Sequence, residues 1–99
     1  MLKSRKIRNF NTQREELKMK IYDFNGKKNI CGDRVREARQ KQRISQTDLA
    51  ARLQVSGVII ERDSISRIEI GTRFVADYEL AVLASSLKVS VEWLLGIDN

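Results

Sequence analysis

Residues 64–71 read SISRIEIG and combine apolar side chains with groups that can make specific hydrogen bonds. Ile65 and Ile68 stand three residues apart, so on a helix they would share one buried face. The other side would present two serine hydroxyls and the guanidinium of Arg67. A guanidinium can donate two parallel hydrogen bonds to one partner, and a hydroxyl can donate or accept. The chemistry that suits this helix face is recognition of a partner.

The composition excludes the common catalytic and metal-binding centres. The chain has no histidine and one cysteine, Cys31. A zinc site of the usual Cys/His kind and a histidine-based catalytic triad are therefore excluded. The sequence around the acidic residues does not single out any pair as a general acid and base. We therefore expect no enzyme activity, no metal and no cofactor. A single cysteine cannot form an internal disulfide, which fits a reducing cytosol.

The length of 99 residues suits one small domain with a modest core. No apolar run approaches the roughly 20 residues that a membrane-spanning helix needs. The basic start, MLKSRKIRNF, is not followed by an apolar stretch, so it does not match a secretory signal. We therefore expect a cytoplasmic protein with no membrane partner.

The positive charge is concentrated at the N-terminal end. Residues 1–30 hold nine Lys or Arg and three Asp or Glu, which accounts for the whole net charge of +6. Residues 31–99 hold ten of each kind. A basic arm on a neutral domain is typical of proteins that bind polyanions. A solvated tail would show the same charge pattern, and both interpretations stay open.

From Gly32 onward the sequence has the spacing and caps of helices, and it contains no proline. Ser45 is followed three residues later by Asp48, a capping-box pattern. We expect five helices. The first covers residues 33–43 and the second begins after Ser45. The third begins after a cap at Asp63 or Ser64 and ends at Gly71, the fourth begins after Asp77, and the fifth runs from Val91 to Leu95 after a cap at Ser90.

The N-terminal third gives conflicting signals. Residues 12–15, TQRE, form a capping-box pattern that favours a helix as far as Tyr22. The alternation of apolar and basic residues over 17–21, LKMKI, is typical of a strand. We prefer the helix. Asn25-Gly26 is a turn signal.

Two short helices around a turn, with small Ala50 allowing a close crossing, meet the needs of a helix-turn-helix. SQTDLAARLQVS followed by SISRIEIG resembles the lambda-repressor/Cro-like family, also called the xenobiotic-response-element type. GDRVREARQKQRIS resembles its first helix, and DYELAVLASSLKVSVEWLLG its fourth and fifth. The resemblance implies an all-α, five-helix DNA-binding domain at residues 32–97, with residues 1–31 as a basic N-terminal arm or extra element.

The resemblance also implies a function. It indicates a sequence-specific DNA-binding transcriptional regulator, with repression preferred, that inserts the helix from about Asp63 to Ile70 into the major groove. The expected partners are operator DNA and a second copy of the chain, in a bacterial or phage-encoded, nucleoid-associated protein. The alternative is a protein-interaction or antitoxin module that uses the same fold without reading DNA. Its partner would be a protein such as a toxin or regulator.

The resemblance and the residue chemistry together give candidate contacts. Those expected to read bases are Arg62, Asp63, Ser64, Ser66 and Arg67, and those expected to contact phosphates are Ser45, Gln46, Thr72 and Arg73. Asp63 is equally suited to capping the helix, since an acid repels phosphate. A solvated surface arginine remains the alternative for Arg67, and an ordinary turn the alternative for residues 72–73.

Other matched positions imply structural roles. Arg39 and Glu69 match a pair that often forms a salt bridge between the first and third helices of the family. Trp93, Leu94 and Leu95 are candidates for dimerisation, because related proteins often dimerise through this end. The alternative for Trp93 is that it closes the core over the fourth helix.

The chain departs from the family between Ser56 and Ile65, where it is longer than the pattern usually allows. Residues 57–61, GVIIE, look like the insertion. Either this segment loops out before a normal recognition helix, or it extends that helix at its N-terminal end. We prefer the loop, because Gly57 is unfavourable inside a helix.

Overall fold

A computed structural model describes residues 23–97, and within this range the chain forms five α-helices and no β-strand. The helices are α1 (Gly32–Lys41), α2 (Gln46–Val55), α3 (Arg62–Ile70), α4 (Asp77–Leu87) and α5 (Val91–Leu95). The expectation of an all-α, five-helix fold is confirmed. None of these helices is long and apolar enough to cross a membrane.

The core takes apolar side chains from every helix. The buried apolar residues are Cys31, Val35, Ala38, Leu49, Leu53, Ile60, Ile65, Ile68, Leu83, Ala84, Leu87 and Leu94. Ile65 and Ile68 are fully buried, as their spacing predicts. Helix α3 packs against α1 and α2, whereas α4 packs against α1, α2 and α5, and α5 packs against α1 and α4. The buried isoleucines therefore anchor α3 to two supporting helices and leave its opposite side uncovered by the other helices.

Two predicted N-caps are confirmed. At α2 the amide of Asp48 donates to Oγ of Ser45 at 2.9 Å, and the amide of Ser45 donates to Oδ2 of Asp48 at 2.9 Å. The bond from the Ser45 amide, with a further contribution from the Ser45 side chain, lowers the pKa of the Asp48 carboxyl from its ordinary value. At α5 the amide of Trp93 donates to Oγ of Ser90 at 2.9 Å. Both caps satisfy amides that a helix start would otherwise leave without a partner.

Two other predicted caps are wrong. Helix α3 starts at Arg62 with Glu61 as its N-cap, so Asp63 and Ser64 lie inside the first turn and not before it. Helix α4 starts at Asp77, and the cap position is Ala76. The physical reason at α4 is that Glu79 accepts a bond from the Ala76 amide at 3.0 Å and takes over the capping role. At α3 no side chain makes a capping bond.

The segment 57–61 is a loop, as the preferred interpretation expects. Gly57 adopts a left-handed φ of 91°, which ends α2. The amide of Val58 then donates to the carbonyl of Leu53 at 2.9 Å. Ile60 inserts into the core. The alternative, an extended third helix, is excluded by these contacts.

The predicted turn at Asn25-Gly26 is also present. Phe24 and Lys27 exchange two backbone hydrogen bonds, at 2.6 and 3.0 Å, around these residues. Asn25 and Gly26 both have positive φ, at 54° and 82°, as a type I′ turn requires. The helix or strand expected between residues 12 and 22 lies outside the described residues.

The Ser45 cap gives a first testable prediction. We expect Ser45→Ala to lower the free energy of unfolding by about 1 kcal/mol, because the Asp48 amide in the first turn of α2 loses its acceptor. A urea titration should show a lower midpoint with an unchanged slope. Ser85→Ala, at an exposed position inside α4, is the matched control and should change stability little. Equal effects of the two substitutions would contradict the capping role.

Candidate nucleic-acid interface

The outer side of α3 is the accessible face opposite its buried isoleucines. Asp63 and Arg67 lie four residues apart on this side and are exposed. Ser64 and Ser66 are half-buried at its two edges. Because serine side chains are short, they leave room for a partner to approach the helix backbone closely. The structure thus brings these candidate base readers together on one side of a single helix.

The first turn of α3 carries an exposed ion pair. Nη1 of Arg62 lies 2.9 Å from Oδ1 of Asp63, and both side chains are more than half exposed, at 60% and 73%. Surface pairs of this kind contribute little free energy. Either group can therefore leave the pair for a partner at small cost, and the pair cancels two charges at the start of the helix.

A buried ion pair holds α3 in place. Nε and Nη2 of Arg39 donate to the two carboxylate oxygens of Glu69 at 2.7 and 3.0 Å. The side chains are only 12% and 4% exposed. Nη1 of Arg39 also donates to the carbonyl of Ile44 at 3.0 Å. Donating these hydrogen bonds to Glu69 raises the pKa of Arg39, so the guanidinium stays charged. This pair joins α1 to α3 and fixes the orientation of the outer side.

The side chain of Gln46 joins the same cluster. Its Nε2 donates to Oε1 of Glu69 at 3.0 Å, which links the first residue of α2 to α3. Ser45, just before it, is exposed and holds the capping bonds described above. The start of α2 is thereby set at a fixed position beside α3.

The loop after α3 carries two candidate phosphate contacts, Thr72 and Arg73, which differ in how exposed they are. Thr72 is exposed, and its amide donates to the carbonyl of Arg67 at 2.9 Å. Arg73 is half-buried and donates to both carboxylate oxygens of Glu79, at 3.0 and 3.2 Å. Arg73 therefore has a structural role, holding the loop on α4, that the sequence interpretation missed.

The Arg73–Glu79 pair is reflected in the pKa values of both groups. The hydrogen bonds that Arg73 donates to Glu79 raise the pKa of Arg73 above its ordinary value. Burial opposes ionisation of Glu79, but the hydrogen bonds from Arg73 and from the Ala76 amide outweigh it and lower the pKa of Glu79. Both groups are charged at neutral pH.

Asn29 is a positioning residue that the sequence interpretation also missed. Its Nδ2 donates to the carbonyls of Ile68, at 3.1 Å, and Arg73, at 2.8 Å. Its Oδ1 accepts from the amide of Gly32 at 2.8 Å. One side chain therefore caps the start of α1 and the end of α3. The local contact to Gly32 follows a capping pattern visible in the sequence, whereas the contacts across the fold do not.

The dimerisation candidates are not equally available. Leu94 is 0% exposed and belongs to the core, so its assignment to a dimer surface is wrong. Trp93 packs against the core and lies under Arg34, whose guanidinium is 4.7 Å from the ring centroid. Leu95 is half-buried. Three consecutive residues of a short helix point in different directions, and their apolar character alone did not show which one faces inward.

The described residues offer no alternative chemical centre. Among residues 23–97 no cluster of acidic and cysteine side chains could hold a metal ion. Cys31 is buried at the start of α1, and this burial raises the pKa of its thiol to about 11. The thiol is therefore neutral and unreactive at physiological pH.

Comparisons with known proteins agree with this geometry. The helix-turn-helix family model HTH_3 matches residues 35–94, more than half of the chain. No curated protein matches the chain. Among solved structures, the chain is similar to the P22 c2 repressor protein, crystallised in complex with synthetic operator 9T in the presence of Tl⁺. The TM-score is 0.60 at 26% identity, and the match covers 70% of this chain and 97% of the repressor chain. The chain belongs to the lambda-repressor/Cro-like helix-turn-helix family.

Proposed function

We propose that this chain is a sequence-specific repressor that inserts α3 into the major groove of operator DNA. Family membership supports the coarser statement that it is a DNA-binding transcription regulator. The observation that carries the finer proposal is the outer side of α3, which presents Arg67 while a buried ion pair fixes the helix from behind. The similarity to a repressor solved with its operator adds support.

We assign base reading to the outer side of α3. Arg67 suits a guanine, because its guanidinium can donate to O6 and N7 together. Ser64 and Ser66 can bond base edges or phosphates. Arg62 and Asp63 would exchange their weak mutual pair for DNA, with Asp63 accepting from a cytosine amino group. Base contacts from the start of a recognition helix are the usual geometry of this motif.

We assign phosphate contacts to the start of α2 and to the loop after α3. The backbone amide of Gln46, the first residue of α2, lies at the positive end of the α2 dipole, which favours an anion. The side-chain amide of Gln46 donates one N–H to Glu69 and has a second N–H that can be donated to a phosphate. Thr72 is exposed and can donate to a phosphate from its hydroxyl. Arg73 would attract a phosphate through its positive charge while it remains paired with Glu79. Such contacts set the register of the protein on the duplex.

Operators are read by two-fold symmetric dimers in this motif class, so we propose a homodimer acting in a bacterial cytoplasm at the nucleoid. The exposed side of Trp93 and the half-buried Leu95 remain the proposed dimer contacts at the C-terminal end.

A second candidate function is a protein-interaction or antitoxin module. Its support is that Ile59 and Ile70, at the two ends of α3, are 70% and 61% exposed. DNA binding measured at low and moderate salt distinguishes the two functions. Phosphate contacts release counterions, so repressor binding should fall steeply with salt. A lack of salt-sensitive binding to any duplex would favour the docking module.

Arg67→Ala is the variant that tests base reading. We expect selection from random oligonucleotides to lose its preference at one symmetric pair of positions, with other positions unchanged. On the best duplex the loss should be about 1–3 kcal/mol for each half-site, the discrimination of one bidentate contact. Arg36→Ala removes the same charge from an exposed position of α1 and serves as the control. If both variants weaken all sequences equally, Arg67 reads no base.

A further inference from the structure

The loop before α3 exposes one large apolar side chain. Along residues 58–61 the burial alternates: Val58 and Ile60 pack against or within the core, whereas Ile59 is 70% exposed. This alternation is that of an extended segment, in which successive side chains point to opposite sides. Ile59 therefore shares the outward side with Glu61, the N-cap residue just before α3.

Both ends of the loop are fixed. The amides of Gly57 and Val58 donate to carbonyls near the end of α2, each at 2.9 Å. Ile60 is 4% exposed, and the carbonyl of Glu61 accepts from Ile65 at 3.0 Å. The backbone around Ile59 is held on both sides, so its side chain is presented at a defined place beside the N-terminal end of α3.

An exposed isoleucine on a surface is ordinary in itself, but its place here has a chemical consequence. The N-terminal end of a recognition helix approaches the base edges of the major groove. The apolar group that those edges offer is the 5-methyl group of thymine. Burying a methyl against an apolar side chain is favourable and does not depend on counterion release.

We propose that Ile59 is a specificity-determining residue that contacts a thymine methyl group at the edge of the sequence read by α3. This inference rests on the proposed function. The contact selects thymine over cytosine, which lacks the methyl at this position. It supplements the hydrogen bonds of Arg67 with an apolar contact from outside the helix. The loop that distinguishes this chain from the usual family pattern thereby gains a function.

The test removes the methyl and the isoleucine separately. In the duplex selected by the wild-type chain, each symmetric pair of thymines is replaced in turn by deoxyuridine, which lacks only the methyl. Wild type should lose about fourfold in affinity per methyl at one pair of positions. Ile59→Ser should bind the thymine duplex more weakly, ignore deoxyuridine at that pair, and keep the wild-type salt dependence. Removing the methyl and the isoleucine separately and together forms a double-mutant cycle, which isolates the free energy of the contact between them.

Val55→Ser is the matched control, because Val55 is 89% exposed at the end of α2. It should retain the wild-type response to deoxyuridine. Wild-type indifference to every thymine methyl, or an Ile59→Ser variant with the full wild-type response, overturns the inference and leaves the proposed function standing. If the wild-type chain selects no duplex at all, the proposed function fails and this inference with it.

Discussion

Glu69→Ala should lower the free energy of unfolding by about 3 kcal/mol, since it leaves the Arg39 guanidinium buried without its partner. The two bonds between these side chains, at 2.7 and 3.0 Å, lie where almost no solvent can replace them. The same substitution removes the acceptor of the Gln46 amide. Urea unfolding followed by circular dichroism measures the change. DNA affinity should fall as well, because α3 loses the contact that orients it.

Glu37→Ala is the control for this variant. Glu37 pairs with Lys41 at 3.7 Å on the exposed side of α1, so its loss should cost under about 1 kcal/mol. Replacing both members of the buried pair, as Arg39→Met with Glu69→Leu, should recover most of the stability lost in Glu69→Ala. Equal effects of Glu69→Ala and Glu37→Ala would show that the buried pair does not hold α3.

Gly32→Ala should be comparably disruptive, because α1 and α3 touch there through their backbones. A β-carbon on Gly32 would collide with the carbonyl oxygen of Ile68 and lie 3.0 Å from that of Glu69. Carbonyls inside a helix cannot move aside, so α1 must shift away from α3. We expect a loss of about 3 kcal/mol in urea unfolding, the upper part of the range for overpacking.

Gly57→Ala provides the comparison for Gly32→Ala. At Gly57 an added β-carbon meets nothing within 4 Å, and the strain comes from the positive φ of 91° alone. That strain costs about 1–2 kcal/mol. If Gly57→Ala destabilises the chain more than Gly32→Ala does, the close approach of α1 and α3 is not the constraint that we infer.

The sequence predicted the parts of the fold that depend on local spacing. Ile65 and Ile68 three residues apart gave the buried side of α3, and Ser45 with Asp48 gave the start of α2. The N-cap of α3 was predicted at Asp63 or Ser64, two or three residues late, because the observed cap, Glu61, makes no side-chain capping bond that a sequence pattern could indicate. Local patterns succeed where the partner lies within one helical turn.

Contacts between distant residues could not be predicted from spacing. Asn29 and Ile68 are 39 positions apart, and nothing near either residue indicates their hydrogen bond. The pairing of Arg39 with Glu69 was expected from the family resemblance alone. The Arg73–Glu79 pair shows the limit of that resemblance, since it gives a candidate phosphate ligand a partner within the fold. Burial of Leu94 likewise depends on how α5 packs, which its apolar sequence does not specify.

A nuclear magnetic resonance titration tests directly whether the outer side of α3 contacts DNA. The ¹⁵N-labelled chain is titrated with its selected duplex, and amide shifts are followed residue by residue. The largest shifts should fall at residues 45–46, 59–67 and 72. Shifts among residues 23–97 that are confined to α4 and α5, with residues 62–67 unchanged, would contradict the claim.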